Sequence, residues 1–243
     1  MTVTIVEERL AGIPALVFYP AAKSAGMIVL FQRFSVTAAL DANLGYILAK
    51  AGFTVICPEA SGHGSRFNGN DALRRNRFWQ ILHRTLEELP QLVEAYLARE
   101  PLDRQRIGVF GTSMGGFAVA GAMVRYPWIR AGAAYMGGGF LAHAMTYVHP
   151  PLAADVSLCR HLLADYDAEY HVERLTGRPL FLWHGAQDDI VSCRESELLR
   201  DALRNKNGAQ QLTCIIDPHA GHKITQSSIT AGVEFISHHL RQE

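Results

Sequence analysis

The chain has 243 residues, of which 49% are hydrophobic and 19% charged, a balance typical of a globular enzyme with a buried core. Its 23 Lys and Arg residues equal its 23 Asp and Glu residues, so the formal net charge at pH 7 is zero. This balance gives no electrostatic reason to expect nucleic acid or an anionic membrane as a partner.

Targeting and redox signals are weak. The first ten residues lack the basic and apolar regions of a secretion signal, and the longest uncharged apolar run, 110–124, is too short for a membrane span. The four cysteines are scattered, without the spacing of a zinc site or a disulfide framework. We therefore expect a soluble cytoplasmic protein. As its oligomeric state we expect a monomer or homodimer.

Short β-rich runs alternate with helical patterns along the whole chain, without internal repeats or linkers. Strands are predicted at residues 13–18, 27–31, 53–57, 106–110, 131–136, 179–183 and 212–216. Helices are predicted at residues 37–51, 72–99, 114–126, 193–206 and 225–240. This alternation predicts a single α/β domain, 1–243, with a mainly parallel sheet flanked by helices. The first two strands have no helix between them, and we expect them to form an antiparallel edge.

Two segments interrupt the regular pattern. Pro90 lies inside the 72–99 helix, where the lost hydrogen bond and steric clash cost about 3 kcal/mol, so we expect a kink or break. Residues 137–177 lose the strand–helix alternation and are too long for an ordinary connection. We expect this segment to form a short helical cap over the carboxyl edge of the sheet, where open α/β sheets bind ligands.

The sequence Gly111-Thr112-Ser113-Met114-Gly115 follows a predicted strand and opens a predicted helix. In this context the G-x-S-x-G pattern is typical of a nucleophile elbow, in which a tight turn exposes the serine hydroxyl. The two outer glycines leave room for that turn. A glycine-rich phosphate-binding loop is the alternative interpretation, but suitable catalytic partners downstream favour Ser113 as a nucleophile.

A serine hydroxyl needs a base, and the base needs a carboxylate to orient it. In this type of fold the partners follow the serine in the order acid, then histidine. His222 lies in the loop after the last predicted strand beside a flexible glycine, and we prefer it to His219 as the base. Asp188 follows the strand 179–183, and we prefer it to Asp189 as the acid.

A metal site is the competing interpretation of these residues, since Asp217, His219 and His222 are closely spaced and His63 could join them. No HExxH motif or cysteine cluster accompanies them. A catalytic triad explains His222 without an ion, so we expect neither a metal nor a cofactor.

Several motifs resemble those of known hydrolases. The segments GTSMGG, WHGAQDDIV and GHKIT resemble the dienelactone-hydrolase and prolyl-oligopeptidase-like branch of the α/β-hydrolases. Residues 62–67 and 76–82 further resemble small bacterial carboxylesterases of the YjfP type. The resemblance covers nearly the whole chain. It implies the α/β-hydrolase fold, hydrolysis of short acyl esters without a cofactor, and a triad of Ser113, Asp188 and His222.

One loop departs from this family pattern. Relatives carry His-Gly after the strand 27–31, whereas this chain has Gln32-Arg33. The expected oxyanion donors are therefore the backbone N–H groups of Phe34 and Met114. If Arg33 adopted the left-handed conformation that glycine tolerates, the strain would be about 1–2 kcal/mol. Loss of one donor would reduce the rate by about 10²–10³.

Arg33 admits three interpretations. Its guanidinium could face the pocket mouth and favour substrates that bear an anion, the loop could be rearranged in a protein that only binds ligands, or the side chain could point to solvent. His63 and Tyr147 are weaker candidates for the walls of a substrate pocket, and packing of their own segments explains them equally well.

The sequence thus predicts a serine carboxylesterase that forms an acyl-enzyme on Ser113. A thioesterase or peptidase would use the same triad, although we expect no second domain that could filter peptides. A non-catalytic ligand-binding homologue with an impaired oxyanion hole is the alternative from another class.

Overall fold

The computed structural model describes residues 2–241 and contains one eight-stranded sheet. Its strands are β1 Thr4–Leu10, β2 Ile13–Tyr19, β3 Met27–Phe31, β4 Thr54–Pro58, β5 Ile107–Thr112, β6 Ala131–Tyr135, β7 Leu180–Gly185 and β8 Leu212–Asp217. The spatial order is β1-β2-β4-β3-β5-β6-β7-β8. The six strands from β3 to β8 are mutually parallel, while β2 runs antiparallel to both β1 and β4.

Helices cover both faces of this sheet. They are α1 Ala42–Lys50, α2 Asp71–Asn76, α3 Phe78–Leu97, α4 Met114–Arg125, α5 Leu141–Ala144, α6 Val156–Leu163, α7 Ala168–His171, α8 Arg194–Asn205 and α9 Gln226–Arg241. One buried core joins the sheet to α1 and α9, and a larger one joins it to α3, α4 and α8. The predicted mainly parallel α/β architecture is therefore confirmed. Among residues 2–241, no helix is both long and apolar enough to cross a membrane.

The prediction that strands 13–18 and 27–31 form an antiparallel edge was wrong. The edge hairpin consists of β1 and β2, whereas β3 lies inside the sheet between β4 and β5. All five residues of β3 are buried, as an interior position requires. The sequence interpretation missed β1 because it is an edge strand with mostly exposed residues, including Glu7, Glu8 and Arg9. Such charges protect an edge from pairing with other chains and also remove its hydrophobic pattern.

Of the kink or break predicted at Pro90, the break was wrong. Helix α3 continues through Pro90, and the interruption falls at Arg77, between α2 and α3. A buried face that includes Leu86, Leu89 and Val93 flanks the proline on both sides. Tertiary packing of such a face supplies most of the stability of a helix in a protein, so it outweighs the loss of one hydrogen bond.

The segment 137–177 contains the three short helices α5, α6 and α7 joined by 3₁₀ turns. Helix α6 packs on α3, and α7 packs on α4, so much of the segment covers one face of the sheet. Its residues 148–149 reach the carboxyl edge, where both carbonyls accept from Trp79 Nε1 and the His149 ring contacts Phe34. That the segment forms a separate cap remains a prediction.

Candidate active site

Ser113 occupies a strained turn between β5 and α4, with φ +58° and ψ −117°. A Cβ atom on Gly111 would lie 2.3 Å from the Gly115 carbonyl oxygen, and one on Gly115 would lie 2.3 Å from the Phe31 carbonyl oxygen. Neither position therefore accepts a side chain without movement of the backbone. The close approach of α4 to the sheet holds Ser113 at the carboxyl edge, as expected of a nucleophile elbow.

His222 connects Ser113 to Asp188. Its Nδ1 lies 2.7 Å from Asp188 Oδ2, and its Nε2 lies 3.0 Å from Ser113 Oγ. Because an ionised carboxylate only accepts hydrogen bonds, Nδ1 carries the proton and donates. The lone pair of Nε2 then faces the serine hydroxyl, which donates to it. This is the arrangement of a base that removes a proton from a nucleophile.

Asp188 is fully buried at its side chain and follows β7. Burial opposes its ionisation, but hydrogen bonds from His184, His222 and two backbone amides outweigh burial and hold its pKa well below the usual value. The amides are those of Ile190 and Val191, which both donate to Oδ1 at 3.0 and 2.9 Å. Asp188 therefore stays ionised and orients the imidazole at neutral pH.

The alternative acid and base lie elsewhere. Asp189 and His219 are both exposed, and neither has a hydrogen bond to the Ser113 or His222 side chain among residues 2–241. In the same part of the chain, no three His, Cys, Asp or Glu side chains gather in a way that could hold a metal ion. The hydrogen-bonded series that reaches Ser113 thus involves the preferred acid and base, Asp188 and His222, and not the alternatives.

His184 is a site residue that the sequence interpretation missed. The ring is fully buried at the end of β7, where Nε2 lies 2.8 Å from the Val191 carbonyl oxygen and 3.4 Å from Asp188 Oδ2. Nδ1 lies 2.8 Å from Ser196 Oγ, at the start of α8. His184 therefore connects the loop that carries Asp188 to its neighbours. A histidine within an otherwise apolar strand was the available signal.

The loop after β3 does not have the strain expected at Arg33. The non-glycine residue with a left-handed backbone in this loop is Ser35, with φ +64°, and Arg33 lies outside that region. The Arg33 amide donates to Asp41 Oδ2 at 3.1 Å, and its side-chain Nε donates to Asp41 Oδ1 at 2.8 Å. The Arg33 side chain is 41% exposed, so it faces solvent only in part.

His63 holds the loop after β3 through a hydrogen bond to its backbone. Its ring is fully buried, with Nε2 accepting from the Ser35 amide at 2.9 Å and Nδ1 donating to the Ser61 carbonyl oxygen at 2.9 Å. Burial lowers the pKa of His63, which agrees with a neutral ring that accepts at Nε2. In this conformation the ring has no surface for direct contact with substrate.

The two expected oxyanion donors are both available. The amides of Arg33 and Ser35 have acceptors, whereas the Phe34 amide between them has none among residues 2–241. Met114 is the first residue of α4, and the first amides of a helix have no partner within it. These N–H groups also carry the positive end of the helix dipole.

Tyr147 lies beside a buried carboxylate. Its hydroxyl donates to Glu195 Oε1 at 2.9 Å, and His143 Nδ1 lies 2.7 Å from the same oxygen. Burial raises the pKa of Glu195, and burial with the nearby carboxylate raises that of Tyr147. Tyr147 is still 39% exposed, so one part of the ring remains accessible to a ligand.

The sequence has relatives among known hydrolases. The prolyl oligopeptidase family model matches residues 39–241. Over 98% of this chain and the whole of each relative, the sequence is 34% identical to esterase YjfP of Escherichia coli K12 and 26% identical to putative esterase YitV of Bacillus subtilis 168.

Solved structures show the same fold along the entire chain. The crystal structure of TT1662 from Thermus thermophilus superposes with a TM-score of 0.84 at 23% identity, with all of both chains covered. A putative dienelactone hydrolase from Klebsiella pneumoniae superposes with a TM-score of 0.74 at 17% identity, also over all of both chains. The predicted α/β-hydrolase fold is confirmed, and the chain belongs to the prolyl oligopeptidase family of serine hydrolases.

Proposed function

We propose that this protein is a carboxylesterase that hydrolyses short-chain acyl esters through Ser113, His222 and Asp188. The observation that carries the proposal is the hydrogen-bonded series Asp188–His222–Ser113, with distances of 2.7 and 3.0 Å. The resemblance to bacterial esterases supports an ester as the substrate, because a triad alone does not choose the leaving group.

In the first half of the reaction, His222 removes the Ser113 proton while Oγ attacks the ester carbonyl carbon. The Phe34 and Met114 amides donate to the resulting oxyanion, and Asp188 stabilises the imidazolium. His222 then gives its proton to the alcohol oxygen as the carbon–oxygen bond breaks. The alcohol leaves, and the acyl group remains on Ser113.

In the second half, His222 removes a proton from water as the water oxygen attacks the acyl carbon. His222 then returns this proton to Ser113 Oγ as the bond between Oγ and the acyl carbon breaks, and the carboxylic acid leaves. These reaction steps need no cofactor. We further propose a small-molecule substrate and a cytoplasmic enzyme, the latter supported by four cysteines that are all free.

The first test is hydrolysis of p-nitrophenyl esters with acyl chains from C2 to C12 by the wild type and by Ser113→Ala. We expect turnover of the short esters and a loss on the order of 10⁴-fold or more in the variant. A fluorophosphonate probe should label the wild type and leave Ser113→Ala unlabelled.

Other outcomes favour the competing functions. Labelling without ester turnover would favour a thioesterase or peptidase, which acyl-thioester and peptide substrates would then distinguish. A wild type that neither reacts with the probe nor hydrolyses any ester would support a ligand-binding homologue. Preference for long acyl chains would contradict the proposed short-chain specificity.

A further inference from the structure

A small cavity lies beside His222 at the carboxyl edge of the sheet. Its volume is about 210 Å³. It lies between the start of α1, the loop after β3 and the loop that carries His222. Its polar and charged lining residues are Arg33, Asp41, Asn43, Thr112, His222 and Lys223.

The charge of this lining is positive. Asp41 is almost fully buried and already accepts two hydrogen bonds from Arg33, one from the backbone and one from Nε. The terminal nitrogens of Arg33 and the ammonium group of Lys223 have no acceptor among residues 2–241. The lining thus contains one carboxylate, Asp41, and two cations, Arg33 and Lys223. Its net charge is about +1, which favours an anionic ligand.

Thr112 adds a polar atom without a partner. Its side-chain Oγ1 is buried and has no hydrogen-bond partner in the described part of the chain. A buried hydroxyl without a partner is unfavourable, so such groups usually have a partner when the site is occupied. Thr112 also lines the cavity, but its Oγ1 has no exposed surface there, so the hydroxyl can donate to a bound anion only if the side chain rotates.

The position of His222 indicates which part of a substrate would enter. In the proposed reaction, His222 gives its proton to the oxygen of the leaving alcohol, so the alcohol portion starts beside this ring. His222 also lines the cavity. Of the three triad candidates only His222 lines the cavity, so a group attached to the leaving oxygen must pass the His222 ring to reach Lys223 and Arg33.

We propose that this cavity binds the alcohol portion of the substrate and that this portion carries a carboxylate or phosphate group. The inference rests on the proposed esterase function and names its substrate class. Arg33 presents planar donors that suit either anion, and Lys223 adds a mobile charge. A small alcohol that bears such a group, for example a hydroxy acid or a short phosphorylated polyol, suits a cavity of this volume.

The test compares two acetate esters of matched size, acetoxyacetate and the neutral acetoxyacetamide. We expect the wild type to have a higher kcat/KM for the anionic ester. Lys223→Met should lower the ratio of the two kcat/KM values about three- to fivefold, as expected for one exposed charge, and Lys223→Glu should lower it further. Added salt should reduce the wild-type ratio as well.

Lys206→Met and Lys206→Glu are the matched controls, because Lys206 follows the end of α8 at the opposite edge of the sheet. Both should keep the wild-type ratio. Equal ratios in the wild type and the Lys223 variants would overturn the proposal. A shift that appears only with monoethyl succinate against ethyl succinamate would place the anion on the acyl side and would also overturn it.

A binding measurement separates this inference from the esterase proposal. Calorimetric titration of Ser113→Ala with glycolate and with inorganic phosphate needs no turnover. We expect binding of at least one anion, lost when Lys223→Glu is added. Absence of binding to both anions would refute the cavity proposal even if the enzyme hydrolyses neutral esters.

Discussion

The two edges of the same sheet use polar residues in different ways. At the amino edge, a cavity of about 1250 Å³ is lined by Arg104, Arg106, Arg125, Arg130, Arg174 and Arg178. Arg178 there donates to carbonyl oxygens around the end of α4, including those of Tyr126 and Ile129. Arg104 forms an exposed pair with Glu94. These cations complete helix ends and surface pairs.

At the carboxyl edge, polar side chains are buried and the backbone is strained. Three non-glycine residues with positive φ, Ser35, Ser113 and Met136, follow β3, β5 and β6. His63 and His184 are fully buried and hold the loops around them. Strain and buried polar groups both cost stability, so they persist where the surrounding structure fixes them. The cavity at the amino edge is larger, but the buried polar groups and strained turns that mark a functional site lie at the carboxyl edge.

Outside the three triad candidates, the largest effect should come from His184, which supports Asp188 at the carboxyl edge. His184→Leu removes the donor to the acid loop, and a displaced triad should lower kcat about 10–100-fold with little change in KM. His184→Gln can place an amide N–H near the position of Nε2 and should recover part of the rate. Steady-state kinetics on p-nitrophenyl acetate measure both variants.

A melting temperature close to that of the wild type shows that His184→Leu still folds. Full activity in this folded variant would mean that the ring only fills space, and the contrast between the two edges would fail. Equal losses in the Leu and Gln variants would likewise argue against a role for the hydrogen bonds.

At the amino edge, the expected effect is on stability. Arg178→Met leaves several carbonyl oxygens at the end of α4 without a charged donor and should lower the free energy of unfolding by about 2–3 kcal/mol. Urea unfolding measures this change, and kcat/KM should stay within about twofold because the site lies at the other edge.

Arg104→Met is the matched control for Arg178, since it removes an exposed arginine from the same cavity. It should leave the unfolding midpoint unchanged, as expected for an exposed ion pair. If both variants unfold at the same urea concentration, the hydrogen bonds of Arg178 do not stabilise the end of α4.

The smallest effect concerns pH. Because burial lowers the pKa of His63 below the usual 6.5, the unfolded chain binds a proton more readily than the folded one as pH falls below that value. The free energy of unfolding should therefore decrease between pH 7 and 5, by at most about 1.4 kcal/mol per pH unit from this group.

His63→Gln keeps an acceptor for the Ser35 amide and cannot titrate, so its stability should depend less on pH. Urea unfolding at pH 7, 6 and 5 compares it with the wild type. His83→Gln is a comparison variant: burial also lowers the pKa of His83, so it should weaken the pH dependence too, although His83 lies in α3 and not beside the loop after β3. Parallel curves for the wild type and His63→Gln would show that His63 does not titrate differently on folding.

The sequence by itself predicted the parallel core, the tight turn at Ser113 and the order of the candidate acid and base along the chain. Each of these depends on local patterns, such as fully apolar strands or glycines that permit a tight turn. Asp188 and His222 were preferred for their positions after β7 and β8. Their hydrogen bonds became visible only when those strand ends were brought to one edge.

Other features depended on tertiary structure alone. Strand β1 pairs at an exposed edge and needs no hydrophobic pattern, while α3 tolerates Pro90 because its buried face compensates. The Arg33 amide and side chain are held by Asp41, eight residues further along the chain, a contact that no periodic pattern predicts. Local sequence determines which backbone turns are possible. Contacts formed on folding decide which of these turns occur and which charged side chains become paired.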